Sequence, residues 1–316
     1  MSDVISDAVR KGYGAVAKSG LSSDQEGIKG IARAFGYSDE ELASIPAEAN
    51  MGLSCGNPVA MASIREGETV VDLGAGGGLD VFLAAQKVGQ SGRAIGIDMT
   101  GDMVSLARKN AQKGGYDNVD FYLAEIEHMP LPDGSVDCVI SNCVLNLCAD
   151  KDEALKEVFR ILKPGGRLAI SDIALKKALP EEIRKEVAAW TGCIAGAMTI
   201  DENRAALERA GFGAVDIQDS HADLNAYKEG GHAACCGPDS MADMSGGEST
   251  GGGCCGGGEP KPVKPETSCC GGSEKTAEKS DAEVASDYHD TMSDLLNAFD
   301  VNEYAGSYKI FALKPE

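Results

Sequence analysis

The chain has 316 residues, 43% of them hydrophobic and 25% charged, a composition that reads as a soluble globular protein long enough to bury a sizeable core. Fifty acidic residues against 29 basic ones give a formal net charge of -21, which repels phosphate backbones and anionic lipid surfaces. Nucleic acid and membrane are therefore excluded as expected partners.

The N-terminal stretch "MSDVISDAVRKGYGAVAKSG" has polar residues every few positions and no basic region leading into an apolar run, so it does not read as a signal peptide. No segment approaches the roughly 20 apolar residues needed to span a bilayer. The expected localisation is cytoplasmic, where thiols stay reduced, and the eleven cysteines are expected as thiol ligands or nucleophiles instead of a disulfide framework. Apolar residues at helical spacing predict a first helix from Ser2 to about Ala17, and "DQEGIKGIARAFG" predicts a second; together they read as a cap.

From Glu68 onward, β-rich runs alternate with helical patterns. The strands are "TVVDL" at 69–73, "RAIGID" at 93–98, "VDFYL" at 119–123, "VDCVIS" at 136–141 and "RLAISD" at 167–172. The first intervening helix starts at Leu79 and stops at Gly89; the next starts near Thr100 and stops at Gly114 and Gly115. "KPGG" at 163–166 reads as a turn into the fifth strand. Alternation of this kind predicts βαβ units and a mostly parallel, doubly wound α/β sheet. Helices in "EEIRKEVAAW" and "DENRAALERAG", a sixth strand near 213–218, a helix in "SDYHDTMSDLLNAF" and a final strand in "SYKIFAL" follow. Residues 229–282 are dominated by Gly, Ser, Pro, Glu and Lys and read as a mobile insertion, yet they hold three adjacent cysteine pairs: Cys235–Cys236, Cys254–Cys255 and Cys269–Cys270. The resulting division is 1–60 as cap with a first cysteine loop, 61–175 as ligand-binding domain, 176–228 as substrate region, 229–282 as insertion, and 283–316 as C-terminal helix and strand.

"VVDLGAGGGLD" puts Asp72, Gly74, Gly76 and Gly78 where the first strand turns into the first sheet helix. Glycine there lets a ligand approach main-chain N–H groups at a helix N-terminus. The dinucleotide pattern G-x-G-x-x-G fails, because Leu79 occupies its last position. Asp98, followed by Met99 at the end of the second strand, can accept both hydroxyls of a ribose, and Glu125 and Ile126 after the third strand are placed to meet an adenine amino group and ring face. Acids on three successive strand ends resemble the class I methyltransferases, a Rossmann-like fold whose methyl donor is S-adenosylmethionine.

Three single cysteines stand near the carboxyl edge of such a sheet or among small residues: Cys55 in "NMGLSCGNP", Cys143 in "ISNCVLNLCADK" and Cys193 in "AWTGCIAGAMT". Cys138, inside the fourth strand, reads as a small buried hydrophobe, and Cys148 as a partly exposed thiol. His128 reads as a surface or pocket residue, and no general base is apparent. "VRKGYGAVA", "IPAEANMGLSCGNP", "SNCVLNL" and "WTGCIAGA", with the glycine loop and "IGIDMTGDMVSLARKNAQKGGYDNVDF", resemble the arsenite methyltransferase family over residues 9 to 220. The resemblance implies methyl transfer from S-adenosylmethionine to trivalent arsenic in detoxification, with Cys55, Cys143 and Cys193 as the three arsenic thiolates. It implies no permanently bound metal, and as partners arsenite or its thiol conjugates and a thiol reductant such as thioredoxin or glutathione. Soft arsenic suits thiolate sulfur, and a pyramidal lone pair facing a sulfonium methyl needs positioning more than proton abstraction. The three cysteine pairs are expected to capture arsenite and pass it on, with zinc or copper binding as the competing reading. The alternative functions are methylation of a small organic acceptor of the quinone-precursor type, which has no need of the three cysteines, and a thiol-rich metalloid-sequestering protein.

Overall fold

The computed structural model describes residues 2–179, 194, 196–226 and 301–316. Cys193, the six paired cysteines, the predicted helices at 181–190 and 286–299, and the 229–282 insertion lie outside the described residues.

Within them the order is α1 (Ser2–Lys18), α2 (Glu26–Ala34), α3 (Asp39–Ala43), α4 (Pro58–Met61), β1 (Thr69–Leu73), α5 (Leu79–Val88), β2 (Arg93–Asp98), α6 (Gly101–Gly114), β3 (Val119–Leu123), β4 (Val136–Asn142), α7 (Lys151–Ile161), β5 (Leu162–Leu175), α8 (Ile200–Ala210), β6 (Gly213–Asp219) and β7 (Ala305–Leu313), with single 3-10 turns at Ala47–Ala49, Leu145–Leu147 and Val301–Glu303. The seven strands form one sheet in the order β3-β2-β1-β4-β5-β7-β6. Strands β1 to β5 pair in parallel, and β7 inserts antiparallel between β5 and β6. This is the doubly wound, mostly parallel sheet expected from the alternating pattern, and the architecture that the resemblance to class I methyltransferases implies.

Helix-covered faces explain the unbroken apolar strands. Side chains alternate across the sheet: Val70, Cys138, Ile140 and Ala169 join Phe82, Ala84 and Val88 of α5 on one face, whereas Val71, Leu73, Val139, Leu168 and Ile170 join Leu155 and Val158 of α7 and Leu207 of α8 on the other. Phe82 is wholly buried, and its truncation to alanine is expected to cost about 3–5 kcal/mol.

Local signals set the helix ends. Thr199 and Glu202 form a reciprocal capping box at the start of α8, which stops at left-handed Gly211. Asp150 caps α7 by accepting from the Glu153 N–H at 2.9 Å. One boundary differs from the sequence expectation: β5 begins at Leu162, and "KPGG" is carried inside the strand as a bulge, because pairing with β4 jumps from Val136↔Leu162 to Cys138↔Arg167. Cap helix α1 packs over the carboxyl edge of the sheet, with Val16 against Met51 and Met103. Among the described residues no helix is long and apolar enough to cross a membrane.

Candidate functional site

The direction of strand addition reverses between β1 and β4, and the crevice beyond their carboxyl ends is where a doubly wound sheet accepts ligands. Leu73 pairs with Ser141, so the glycine turn after β1 and the Asn142–Cys143 segment after β4 lie side by side. Gly74 has φ +66°, and a Cβ there would collide with Val144; the turn needs glycine on both counts. A cavity of about 590 Å³ opens at this place, lined by Asp72, Gly74, Gly76, Asp98, Met99, Glu125, Ile126, His128 and Cys143 among others.

The acids differ in state. Asp98 accepts the Gly76 N–H at 2.9 Å and the Thr100 N–H at 2.8 Å, which fixes its carboxylate while leaving further lone pairs for a ligand's hydroxyls. Burial raises its pKa against the lowering effect of those two bonds. Asp72 is 4% exposed, and its Oδ1 is buried with no hydrogen-bond partner. Burial, then the charges of Asp80 and Asp98, push its carboxyl well up. A buried acid with an orphaned oxygen suits a ligand that brings positive charge or a donor. Glu125 is exposed and ion-paired with Arg10 of α1, so its carboxylate ties the cap helix to the adenine side of the expected pocket. Ile126 is buried on the wall, and His128 is exposed at its rim.

The Cys55 loop is fastened from several directions. Asn142, the last residue of β4, accepts the Cys55 N–H at 2.9 Å and donates to the Gly56 carbonyl at 2.8 Å. The same amide donates to Tyr37 Oη at 2.9 Å and lies 3.1 Å from Asp80 Oδ2, while Tyr37 donates to Asp80 Oδ1 at 2.7 Å. Ser307 of β7 donates to the Cys55 carbonyl at 2.6 Å. Burial is the main cause that lifts the Asp80 carboxyl to about 6, and burial, with Asp80 beside it, raises the Tyr37 hydroxyl. Cys143 itself sits at φ +60°, a left-handed backbone costly for a residue with a side chain, and its N–H is held by the Ser171 carbonyl at 2.9 Å.

These constraints bring Cys55 and Cys143 together as a disulfide pair across a Cα–Cα separation of 5.7 Å. Read from sequence as thiol ligands, the two cysteines are paired with each other in this structure. Cys143 lines the cavity, and Cys55 reaches it through Cys143, both 4% exposed or less. Cys148 also departs from the sequence reading, since it is buried at 7% exposure instead of partly exposed. It sits on the cavity wall with its thiol donating to the Val144 carbonyl. Cys138 is fully buried in β4 as expected, and burial pushes its thiol up to about 12. Tyr37, Asp80, Asn142 and Ser307 were not singled out from sequence. The placements of Asp80, directly after the glycine turn, and Asn142, directly before Cys143, were the available signals.

A family described as a methyltransferase domain matches residues 64–211. The chain is 48% identical to an arsenite methyltransferase of Halobacterium salinarum over 198 residues, covering 63% of this chain and 50% of that protein. It is 38% identical to the arsenite methyltransferase of Homo sapiens over 152 residues, 45% of this chain and 40% of the relative. The matched region is similar to arsenite methyltransferases and carries the methyltransferase domain described above. This chain spans about half the length of the curated relatives it matches. Among solved structures, a Haemonchus contortus phosphoethanolamine N-methyltransferase in complex with S-adenosyl-L-methionine shares the fold, with a TM-score of 0.57 at 15% identity over 92% of this chain and 57% of that one. The matched residues 64–211 include the glycine turn, Asp98 and the Cys143 segment, all of which line the cavity.

Proposed function

We propose that this chain methylates trivalent arsenic held as a thiolate complex, with S-adenosylmethionine as the methyl donor, in the service of arsenic detoxification. The observation that carries the reading is the convergence of Cys55 and Cys143, 88 residues apart in sequence, at one cavity with the glycine turn, Asp72 and Asp98. Arsenic(III) takes sulfur donors in a pyramid, and Cys193 is the proposed third. The donor supplies an electrophilic methyl group on a sulfonium.

The chain's own residues bind and orient. Asp98 is proposed to accept ribose hydroxyls, Met99 and Ile126 to flank the base, Glu125 to meet its amino group, and Gly74 and Gly76 to admit the ligand to main-chain N–H groups. Asn142 and Ser307 aim the Cys55 loop, and the Ser171 carbonyl holds Cys143. Closing the cavity with α1 excludes water from the arsenic. The disulfide pair must first be opened: two reductant thiols become one disulfide while Cys55 and Cys143 each gain an electron and a proton. The reductant is proposed to be thioredoxin or glutathione in class. The five-part division drawn from sequence is kept as the proposed domain organisation, with 176–228 as substrate region and the three cysteine pairs as an arsenite relay.

The test is incubation of the full chain with S-adenosylmethionine, arsenite and a thiol reductant, followed by separation of arsenic species. Methylated arsenicals are expected, and Cys55→Ser, Cys143→Ser and Cys193→Ser are each expected to abolish them. Methylation of a quinone-type acceptor that survives Cys55→Ser would overturn the reading in favour of an organic-substrate enzyme.

A further inference from the structure

Tyr37 lies in the cap between α2 and α3 and is buried, whereas Ser54, Asp80 and Asn142 around it line the cavity. Its hydroxyl meets the residue before each cysteine. The Asn142 amide, next to Cys143, donates to Tyr37 Oη at 2.9 Å, and Ser54, next to Cys55, brings its hydroxyl beside the same oxygen. The Tyr37 hydrogen is already engaged, donated to Asp80 Oδ1 at 2.7 Å. Asp80 stands in the first turn of α5, where a helix N-terminus favours a carboxylate, and an ionised carboxylate only accepts. The phenol oxygen is thereby left with its lone pairs for Asn142 and Ser54. Burial keeps the hydrogen in place by raising the Tyr37 hydroxyl well above the usual tyrosine range, and Asp80, lifted to about 6, is still ionised at about pH 7.5.

The same contacts decide which way Asn142 faces. Turning an amide over exchanges its acceptor for its donors. Here Nδ2 lies within 3.1 Å of Gly56 O, Tyr37 Oη and Asp80 Oδ2, while Oδ1 accepts the Cys55 N–H at 2.9 Å. Turned over, the amide oxygen would face three acceptors and its N–H groups would face a donor, so Asp80 and Tyr37 hold it one way round. Resting on the reading that these sulfurs hold arsenic, we propose that Tyr37, its hydroxyl turned by Asp80, is a positioning residue that clamps the Cys55 and Cys143 segments at the spacing a shared metalloid needs. It acts through Asn142 and Ser54. Once one sulfur has bound, the next binds intramolecularly, at an effective concentration set by how closely the two segments are held.

The experiment equilibrates the reduced full chain with glutathione and its disulfide at about pH 7.5. Two protein thiols and one glutathione disulfide give the Cys55–Cys143 disulfide and two glutathione thiols; acid trapping and peptide mapping read the constant. Tyr37→Phe is expected to lower that constant at least about tenfold, the weight of one or two buried hydrogen bonds. Asp80→Asn, whose amide can turn an N–H towards the phenol, is expected to lower it several-fold. The double variant is expected to stay within about twofold of Tyr37→Phe, because Asp80 acts through the phenol. Val158→Ala truncates the core on the α7 side of the sheet; it is expected to lower the urea midpoint and leave the constant within about twofold of the parent. A merely structural Tyr37 would behave as Val158 does. A constant for Tyr37→Phe no lower than that of Val158→Ala, or single effects that simply add in the double variant, overturns the proposal. Should Tyr37→Phe not fold, Asp80→Asn decides alone, and a constant within about twofold of the parent overturns it. In methyl-transfer assays Tyr37→Phe is expected to raise the KM for arsenite several-fold, and an unchanged KM overturns the role in metalloid binding. If the parent methylates no arsenite the arsenic reading itself fails, while the disulfide constants still decide whether Tyr37 clamps the two segments.

Discussion

Replacing Asn142 with alanine tests whether one amide couples the cysteine loop to the ligand pocket. Its side chain accepts the Cys55 N–H and lies within hydrogen-bonding distance of three acceptors, Gly56 O, Tyr37 Oη and Asp80 Oδ2. Two N–H donors and one acceptor are lost, at about 1 kcal/mol each, and the buried carboxylate of Asp80 loses a donor. The expected destabilisation is about 3 kcal/mol. With a urea slope of about 2–3 kcal/mol per molar, the midpoint drops by at least about 1 M at unchanged slope. Denaturation followed by circular dichroism measures this, and mass spectrometry of the oxidised protein measures how fast Cys55 and Cys143 cross-link. Slower cross-linking in the folded variant is the part that a merely structural role would not produce. A midpoint within about 0.2 M of the parent, with cross-linking at the parental rate, would refute the reasoning.

Three further outcomes follow from the described geometry. Asp172 is 3% exposed, its Oδ2 lacks a partner, and burial raises it to about 7 against the ordinary 3.8. Because the folded state holds this proton more tightly, stability is greatest below about pH 4 and falls as pH rises through 7, by at most about 4 kcal/mol, and Asp172→Asn is expected to flatten that decline in thermal melts taken from pH 4 to 8. Brief alkylation of the native protein is expected to label Cys138 and Cys148 much more slowly than alkylation of the urea-unfolded protein, because burial raises both thiols away from the reactive thiolate; peptide mapping reads the two rates. Arg10→Ala removes an exposed pair worth at most about 1 kcal/mol, so the melting temperature is expected to hold within a few degrees, while affinity for S-adenosylmethionine, measured by calorimetry, weakens several-fold as α1 loses its tie to Glu125.

The sheet was legible because its strands are apolar on both faces and punctuated by glycine. Residues 69–73 and 93–98 match β1 and β2 to the residue, and Gly89 and Gly115 stop their helices as read. The bulge at "KPGG" was not legible, since a Pro-Gly-Gly run reads as a turn unless the neighbouring strand's register is known. The acids on successive strand ends were visible as a pattern, but their partners were not. Arg10 reaches Glu125 from 115 residues away, and nothing local announces it. The same holds for the cysteine loop: composition shows that a thiol sits among glycine and asparagine, while the amide and hydroxyl that aim it come from β4 and β7. Burial of Cys148 escaped notice because "LNLCADK" is half polar, and the tertiary wall above it decides exposure.

The hydroxyl of Ser307 grips the carbonyl of Cys55 from 252 residues downstream. During synthesis at about 5–20 residues per second, the earlier segment therefore waits roughly 10–50 s before its last anchor leaves the ribosome. Throughout that interval the loop has Asn142 at most to hold it, and an oxidant or metalloid that reaches the nascent thiol meets a ligand less firmly aimed than in the finished fold.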